Sequence, residues 1–345
     1  MCKVSIVVPM YNGEKTIGRC LDSLIAQKLN SIEIVVVNDG SKDTGADIVR
    51  EYMKKDERIR LVSQKNAGLG AARNKGIQEA VGEYVGFVDC DDFADAEMFS
   101  SMLEAIESTG VSVAICQEKN VYLEGDEIQF INETQFPINK NTVYTNKEIL
   151  QWLLNYSYMS LNSMCYKLIK RNVFIDHNIK VPEQYRHAED LVTSIGILSR
   201  VERVVIIPKS LYYYVHDKGS LTYAYSLRHA QDVYLDWAEA MEYLQTSNFT
   251  GCTDNFSLGM YFTSLKQLQW VSNKAEKRTA AAKELKEKWK TARHKGRWRP
   301  DFKSSDRVTP FVHKVKVYVA YFHVCRPVLA IIKLLSWIPF FKYMA

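Results

Sequence analysis

The chain opens on short apolar runs separated by amphipathic stretches. Residues 3–9, 32–37, 59–62 and 84–88 are nearly all apolar and rich in β-branched side chains. Runs that short and that apolar predict buried strands. Between them, Ile17, Leu21, Leu24 and Ile25 recur at helical spacing, residues 46–53 are helical in pattern, and residues 65–73 open a helix of small side chains. Strands alternating with helices predict an α/β fold, a Rossmann-like, mostly parallel sheet with helices on both faces. In such sheets ligands bind beyond the carboxyl ends of the strands. Tyr11 and Asn12, Asp39, residues 66–73 and residues 89–92 all follow a strand. The topology therefore brings them to one edge, where a nucleotide-sized site fits.

Further on, residues 95–107 read as a helix and 111–116 as a fifth strand. Residues 118–142 are polar and weakly patterned, a hairpin or loop. Thr145 and Glu148 make a capping box ahead of Ile149, Trp152 and Leu153. Residues 161–169 return to the sheet. Leu191, Ile195 and Leu198 face inward from a helix that Glu189 and Asp190 open, which turns Asp190 away from the core. Residues 212–215 form a strand that enters a loop at His216 and Lys218. Residues 221–298 are largely helical in pattern.

Composition sharpens this picture. The chain has 345 residues and is 47% hydrophobic, enough for two domains or one with an appendage. Its seven cysteines show no CxxC pairing, which fits a reducing compartment. The first residues run straight into a strand without signal-peptide architecture, so a cytoplasmic location is expected. Charge is distributed unevenly. Residues 266–345 carry 19 Lys and Arg against 5 Asp and Glu, whereas the preceding residues carry 26 against 35. An acidic body with a basic tail points to an anionic partner surface. Within residues 311–344, Lys314, Lys316, Arg326, Lys333 and Lys342 interrupt the apolar side chains. No apolar run there approaches the ~20 residues of a spanning helix. The pattern predicts helices lying on the inner face of a membrane. A helix packed on the body and a dimer interface are the alternatives. Nucleic acid is not expected, because the strand-rich half is acidic and holds no reader motif.

The sharpest chemical signal ends the fourth strand. Asp89, Asp91 and Asp92 place three carboxylates within four residues. They repel one another unless a cation neutralises them. Asp89 and Asp91 are two apart and can face one divalent ion; hard oxygen ligands suit Mg²⁺ or Mn²⁺ holding a diphosphate. Taken alone, such a triplet reads first as a solvated acidic turn; what precedes it in the chain favours the metal. A nicotinamide-type dinucleotide site is not expected: Gly68 and Gly70 begin a GxGxxG, but Arg73 stands where its third glycine belongs.

Four blocks, VSIVVPMYN, EIVVVNDGSKDTG, QKNAGLGAARNKGI and GEYVGFVDCDDF, resemble in order and spacing the family 2 glycosyltransferases, inverting enzymes of the GT-A fold. The resemblance is strong over residues 1–110, recognisable to about 220 and absent beyond. Beyond it the residue pattern alone predicts a helical basic region (221–305) and membrane-associating helices (306–345); the resemblance itself implies a nucleotide-sugar half (1–110) and an acceptor half (111–220). It implies further that Pro9, Tyr11 and Asn12 line the base and ribose. Asp39 would accept a hydrogen bond from uracil, though it also suits a helix N-cap. Asn66 and Arg73 would flank base and diphosphate, Asp89 would hold ribose, and Asp91 would bind the metal. Cys90 replaces the small residue usual there.

The family carries its catalytic base in an ED pair, which makes Asp190 the candidate base and Glu189 a group that orients the site or acceptor. An arginine usual near Val215 is missing. His216, with Lys218, takes over a metal or diphosphate contact, or is a solvent-facing loop histidine. The implied reaction moves a sugar from a UDP-sugar to a glycan or lipid-linked glycan in bacterial capsule, exopolysaccharide, teichoic acid or lipopolysaccharide assembly. The alternative is a non-catalytic, membrane-associated scaffold. A nucleotidyltransferase would need a Gly- and Arg-rich loop after the first strand, and none is there.

Overall fold

The structure is a computed structural model that describes residues 2–124, 127–133, 136–155, 158–184, 189–216 and 227–247, with parts of 249–292. Lys218 and the tail helices expected over 306–345 lie outside the described residues. In chain order the elements are β1 (Val4–Met10), α1 (Ile17–Ile25), β2 (Ile32–Asn38), α2 (Gly45–Met53), β3 (Ile59–Ser63), α3 (Leu69–Glu79), β4 (Tyr84–Phe87), β5 (Phe93–Ala94), α4 (Met98–Thr109), β6 (Val113–Glu124), β7 (Glu127–Glu133), β8 (Thr142–Thr145), α5 (Asn146–Leu154), β9 (Lys167–Lys170), α6 (Asn172–Asp176), α7 (Glu189–Leu198), β10 (Arg203–Val215) and α8 (Leu227–Thr246).

The strands form one sheet in the order β3-β2-β1-β4-β9-β6-β10-β5, with β7 on β6 and β8 on β10. The four strands read from the apolar runs are parallel throughout. Every position of β1 and β2 is buried, as expected of strands covered on both faces. The small-residue helix is explained by its neighbour. A Cβ at Gly76 would lie 2.1 Å from Val7 Cγ1, so only glycine lets α3 settle onto β1.

The second half is mixed. Strand β9 runs against both β4 and β6, while β6 and β10 are parallel. The strand expected over 111–116 is β6, which is longer than its apolar run because its polar end pairs with β7 as a hairpin.

The chain divides into two compact units, Met1–Asn146 with Ser160–Thr222, and Lys147–Met159 with Tyr223–Ala345. The first contains the whole sheet. In the second, fully buried Trp289 donates to Ser264 Oγ at 3.0 Å and packs against Tyr234 and Trp237. Among the described residues no helix is long and apolar enough to cross a membrane.

Candidate active site

Because β1, β2, β3 and β4 are parallel, the residues after them share one rim. Strand β9 runs the other way, so its first residue, Lys167, and the turn before it reach the same rim. The end of β10 adds His216.

On this rim, one network is built on Asp39, which is 3% exposed. Its Oδ1 accepts from Gln64 Nε2 at 2.8 Å and the Ala67 N–H at 2.9 Å; its Oδ2 accepts from the Gly68 N–H at 2.8 Å. Its carbonyl oxygen accepts from Asn66 Nδ2 at 3.0 Å. Asp39 thus ties the end of β2 to the loop that starts α3 and caps nothing at α2, which begins at Gly45. A carboxylate offers about four acceptor positions; three are used. Gly40 allows the close approach, since its φ is +70° and a Cβ there would meet the Asn66 nitrogen at 2.7 Å. Asn12 sits in the left-handed region at φ 52°. Its Oδ1 accepts from the Lys42 N–H at 2.9 Å, and its own N–H donates to Ser41 Oγ at 3.0 Å. Pro9 is buried within β1, and neighbouring Tyr11 is 49% exposed.

A second network is built on Arg73, 1% exposed on α3. Its Nη2 donates to Asp89 Oδ1 at 2.9 Å. Its Nη1 donates to Glu189 Oε1 at 3.1 Å and also to Asp190 Oδ1. Three carboxylates from two segments, the loop after β4 and the start of α7, therefore meet on one guanidinium. Asp190 Oδ2 accepts from the Met164 N–H at 3.2 Å, and the Asp190 side chain keeps 23% of its surface open. One cation shared by three acids leaves negative charge in excess. Burial raises the Glu189 pKa to about 7, with neighbouring Asp190 adding to the rise and Arg73 opposing it. Burial likewise pushes the Asp190 carboxyl up, against the pull of Arg73.

The acidic triplet divides into three environments. Asp89 belongs to Arg73. Asp92 is buried and accepts from Tyr212 OH at 2.6 Å and the Val215 N–H at 2.8 Å. It anchors the end of β10 to the loop, a structural task that its place beside Asp91 did not disclose. Asp91 is exposed. His216 Nε2 contacts Asn120 Oδ1 at 2.8 Å, and the ring lies edge-on to Tyr214. Among the described residues no three His, Cys, Asp or Glu side chains converge on a metal. An exposed, hard oxygen donor on a loop nevertheless fits a cation that takes its remaining ligands from a diphosphate and water.

Lys167 also escaped the sequence, since a lysine opening a strand reads as surface. It is fully buried, and its Nζ donates to the carbonyls of Leu161, at 2.8 Å, and Ser163.

The fold and this rim define an α/β protein with acidic side chains gathered at the carboxyl edge of its parallel strands. Residues 5–177 match the model of Glycosyl transferase family 2, and the chain belongs to that family. It is 36% identical over 220 residues to the uncharacterized glycosyltransferase EpsJ of Bacillus subtilis, covering 64% of this chain and 62% of EpsJ. The chain thus spans less than two thirds of that relative's length. Among solved structures it resembles S. aureus TarS 1–349 in complex with UDP-GlcNAc, with a TM-score of 0.59 and 24% identity, covering 77% of this chain and 81% of that one. It also resembles the mannosyltransferase PcManGT from Pyrobaculum calidifontis in complex with GDP-Man and Mn²⁺, with a TM-score of 0.54 and 17% identity, covering 93% and 86%. These likenesses show the GT-A fold.

Proposed function

We propose that this chain transfers a sugar, with inversion, from a UDP-sugar to a hydroxyl of a glycan or lipid-linked glycan in bacterial surface polysaccharide synthesis. The observation that carries the proposal is the setting of Asp190. It is fixed through one oxygen by Arg73 and through the other by the Met164 N–H, yet partly open. Two of its about four acceptor positions stay available. Its pKa is raised toward the range where a carboxylate works best as a base.

In the reaction, Asp190 takes the proton from the acceptor hydroxyl as that oxygen bonds to the anomeric carbon. The bond from that carbon to the diphosphate breaks, and UDP leaves. A single displacement inverts the centre, and one base suffices. Asp91 is the residue that would hold Mn²⁺ or Mg²⁺, with His216 and Lys218 as further contacts, and the cation would stabilise charge on the leaving diphosphate. Asp39 offers its remaining acceptor position to the uracil ring N–H. Pro9, Tyr11, Asn12 and Asn66 surround base and ribose, and Asp89 meets the ribose from the Arg73 network. Glu189 orients the site through the same guanidinium.

A scaffold without chemistry has no use for this arrangement, because burying an arginine with three acids costs stability that apolar packing would not. The UDP-GlcNAc bound by TarS supports a uridine donor; the GDP-Man bound by PcManGT makes guanine the alternative to test. The test is release of nucleotide from UDP-sugars and GDP-mannose in Mn²⁺. UDP release is expected; release from neither class would overturn the proposal.

The basic C-terminal region, with the amphipathic pattern of residues 311–344, would hold the enzyme on the inner membrane surface beside a lipid-linked acceptor. Truncation before Phe311 should abolish flotation with anionic liposomes, and unchanged flotation would remove the membrane claim.

A further inference from the structure

We infer that Lys167 is a positioning residue for the transfer reaction, holding the turn that orients Asp190; the inference rests on Asp190 serving as the base. Lys167 opens β9 and is fully buried. Its Nζ donates to Leu161 O at 2.8 Å and to Ser163 O. Among the described residues the ammonium has no carboxylate at ion-pair distance, so it is spent on two carbonyls of one turn. The same turn is gripped from the other side. Ser194 Oγ, one helical turn after Asp190 on α7, donates to Asn162 O at 2.6 Å. Met164, the residue directly after the gripped carbonyls, gives its N–H to Asp190 Oδ2 at 3.2 Å.

A buried ammonium is a costly brace, since a neutral donor would satisfy a carbonyl with less desolvation. Its charge has a second use. The groups facing Asp190 are Arg73 from α3, Asp89 from the loop after β4, Glu189 from its own helix, Cys165 from the turn before β9 and Lys167 from β9. Lys167 itself is faced by Asp190, Cys165 and Cys116. The ammonium therefore favours the ionised form of Asp190, while the turn it holds supplies the Met164 N–H that fixes that carboxylate's direction. Desolvation lowers its own pKa to about 8.

The test compares wild-type enzyme with Lys167→Met, Lys167→Gln and Ser194→Ala. UDP release from a UDP-sugar in Mn²⁺ is followed across pH, and UDP binding is measured by calorimetry. Lys167→Met is expected to lower kcat about 100-fold, the scale of a small misplacement of a reacting group. UDP affinity stays within about twofold of wild type, and the acid limb of the pH–rate profile moves to higher pH. Ser194→Ala loosens the turn without changing charge, so kcat falls and the acid limb stays. Should Lys167→Met not fold, Lys167→Gln keeps a donor but loses the charge and still shifts the acid limb. A lysine variant with wild-type kcat and acid limb overturns the inference, as does one that loses UDP affinity in parallel with rate. If wild type itself releases no UDP, the transfer proposal fails and this inference with it; that outcome is recognised before any variant is measured.

Discussion

The guanidinium of Arg73 lies 2.9 Å from the carboxylate of Asp89, so helix α3 and the loop after β4 are joined by an ion pair. The same group reaches Glu189 and Asp190 on α7. Removing it leaves acids without a counterion in a poorly hydrated place. Arg73→Met should cost about 3–5 kcal/mol of stability, and Arg73→Lys only part of it, because a single ammonium cannot fork between acids. Urea denaturation measures both. A loss below about 0.5 kcal/mol for Arg73→Met would show that the site is wet.

Glu189 sets a pH dependence. Its folded pKa of about 7 lies above the ordinary glutamate value near 4.3. The folded state thus holds a proton that the unfolded state releases. Stability from this group is full below about pH 4 and is lost as pH rises through about 7. The wild-type melting temperature should fall across that window relative to Glu189→Gln. Parallel curves for the two proteins would contradict the assignment.

Asp39 makes a separate prediction. Asp39→Ala strips acceptors from Gln64, Ala67 and Gly68 and removes the proposed uracil contact. An unmet buried donor costs about 1–3 kcal/mol, so UDP affinity should drop about 10- to 100-fold. Calorimetry with UDP, and with GDP as the comparison, reads this. Unchanged UDP affinity would move the base elsewhere.

Much of this site is legible in the sequence. The apolar runs marked β1 to β4 as buried strands, and the helices alternating with them made those strands parallel, so the polar residues after them had one place to go. The reversal at β9 was not legible, because apolar periodicity carries no strand direction. Arg73 read as a contact for base and diphosphate, yet it faces inward: its three partners come from positions 89, 189 and 190, and sequence spacing does not show what a turn of tertiary structure brings together. Asp92 looked like a third member of the acidic triplet; its partner, Tyr212, lies 120 positions away. Lys167 was silent for the same reason, its partners being backbone carbonyls.

The metal claim has its own check. Chelation should abolish UDP release by wild type, and added Mn²⁺ should restore it. Asp91→Asn should raise the Mn²⁺ needed about 10-fold or more. Full turnover in chelator would sever Asp91 from any cation.

Asp190→Asn tests the base most directly. The side chain keeps its size and its place at the start of α7 but can no longer take a proton. UDP release in Mn²⁺ should fall by about 10²–10⁴, while calorimetry finds UDP bound as tightly as by wild type. Turnover at the wild-type rate in that variant would contradict the account.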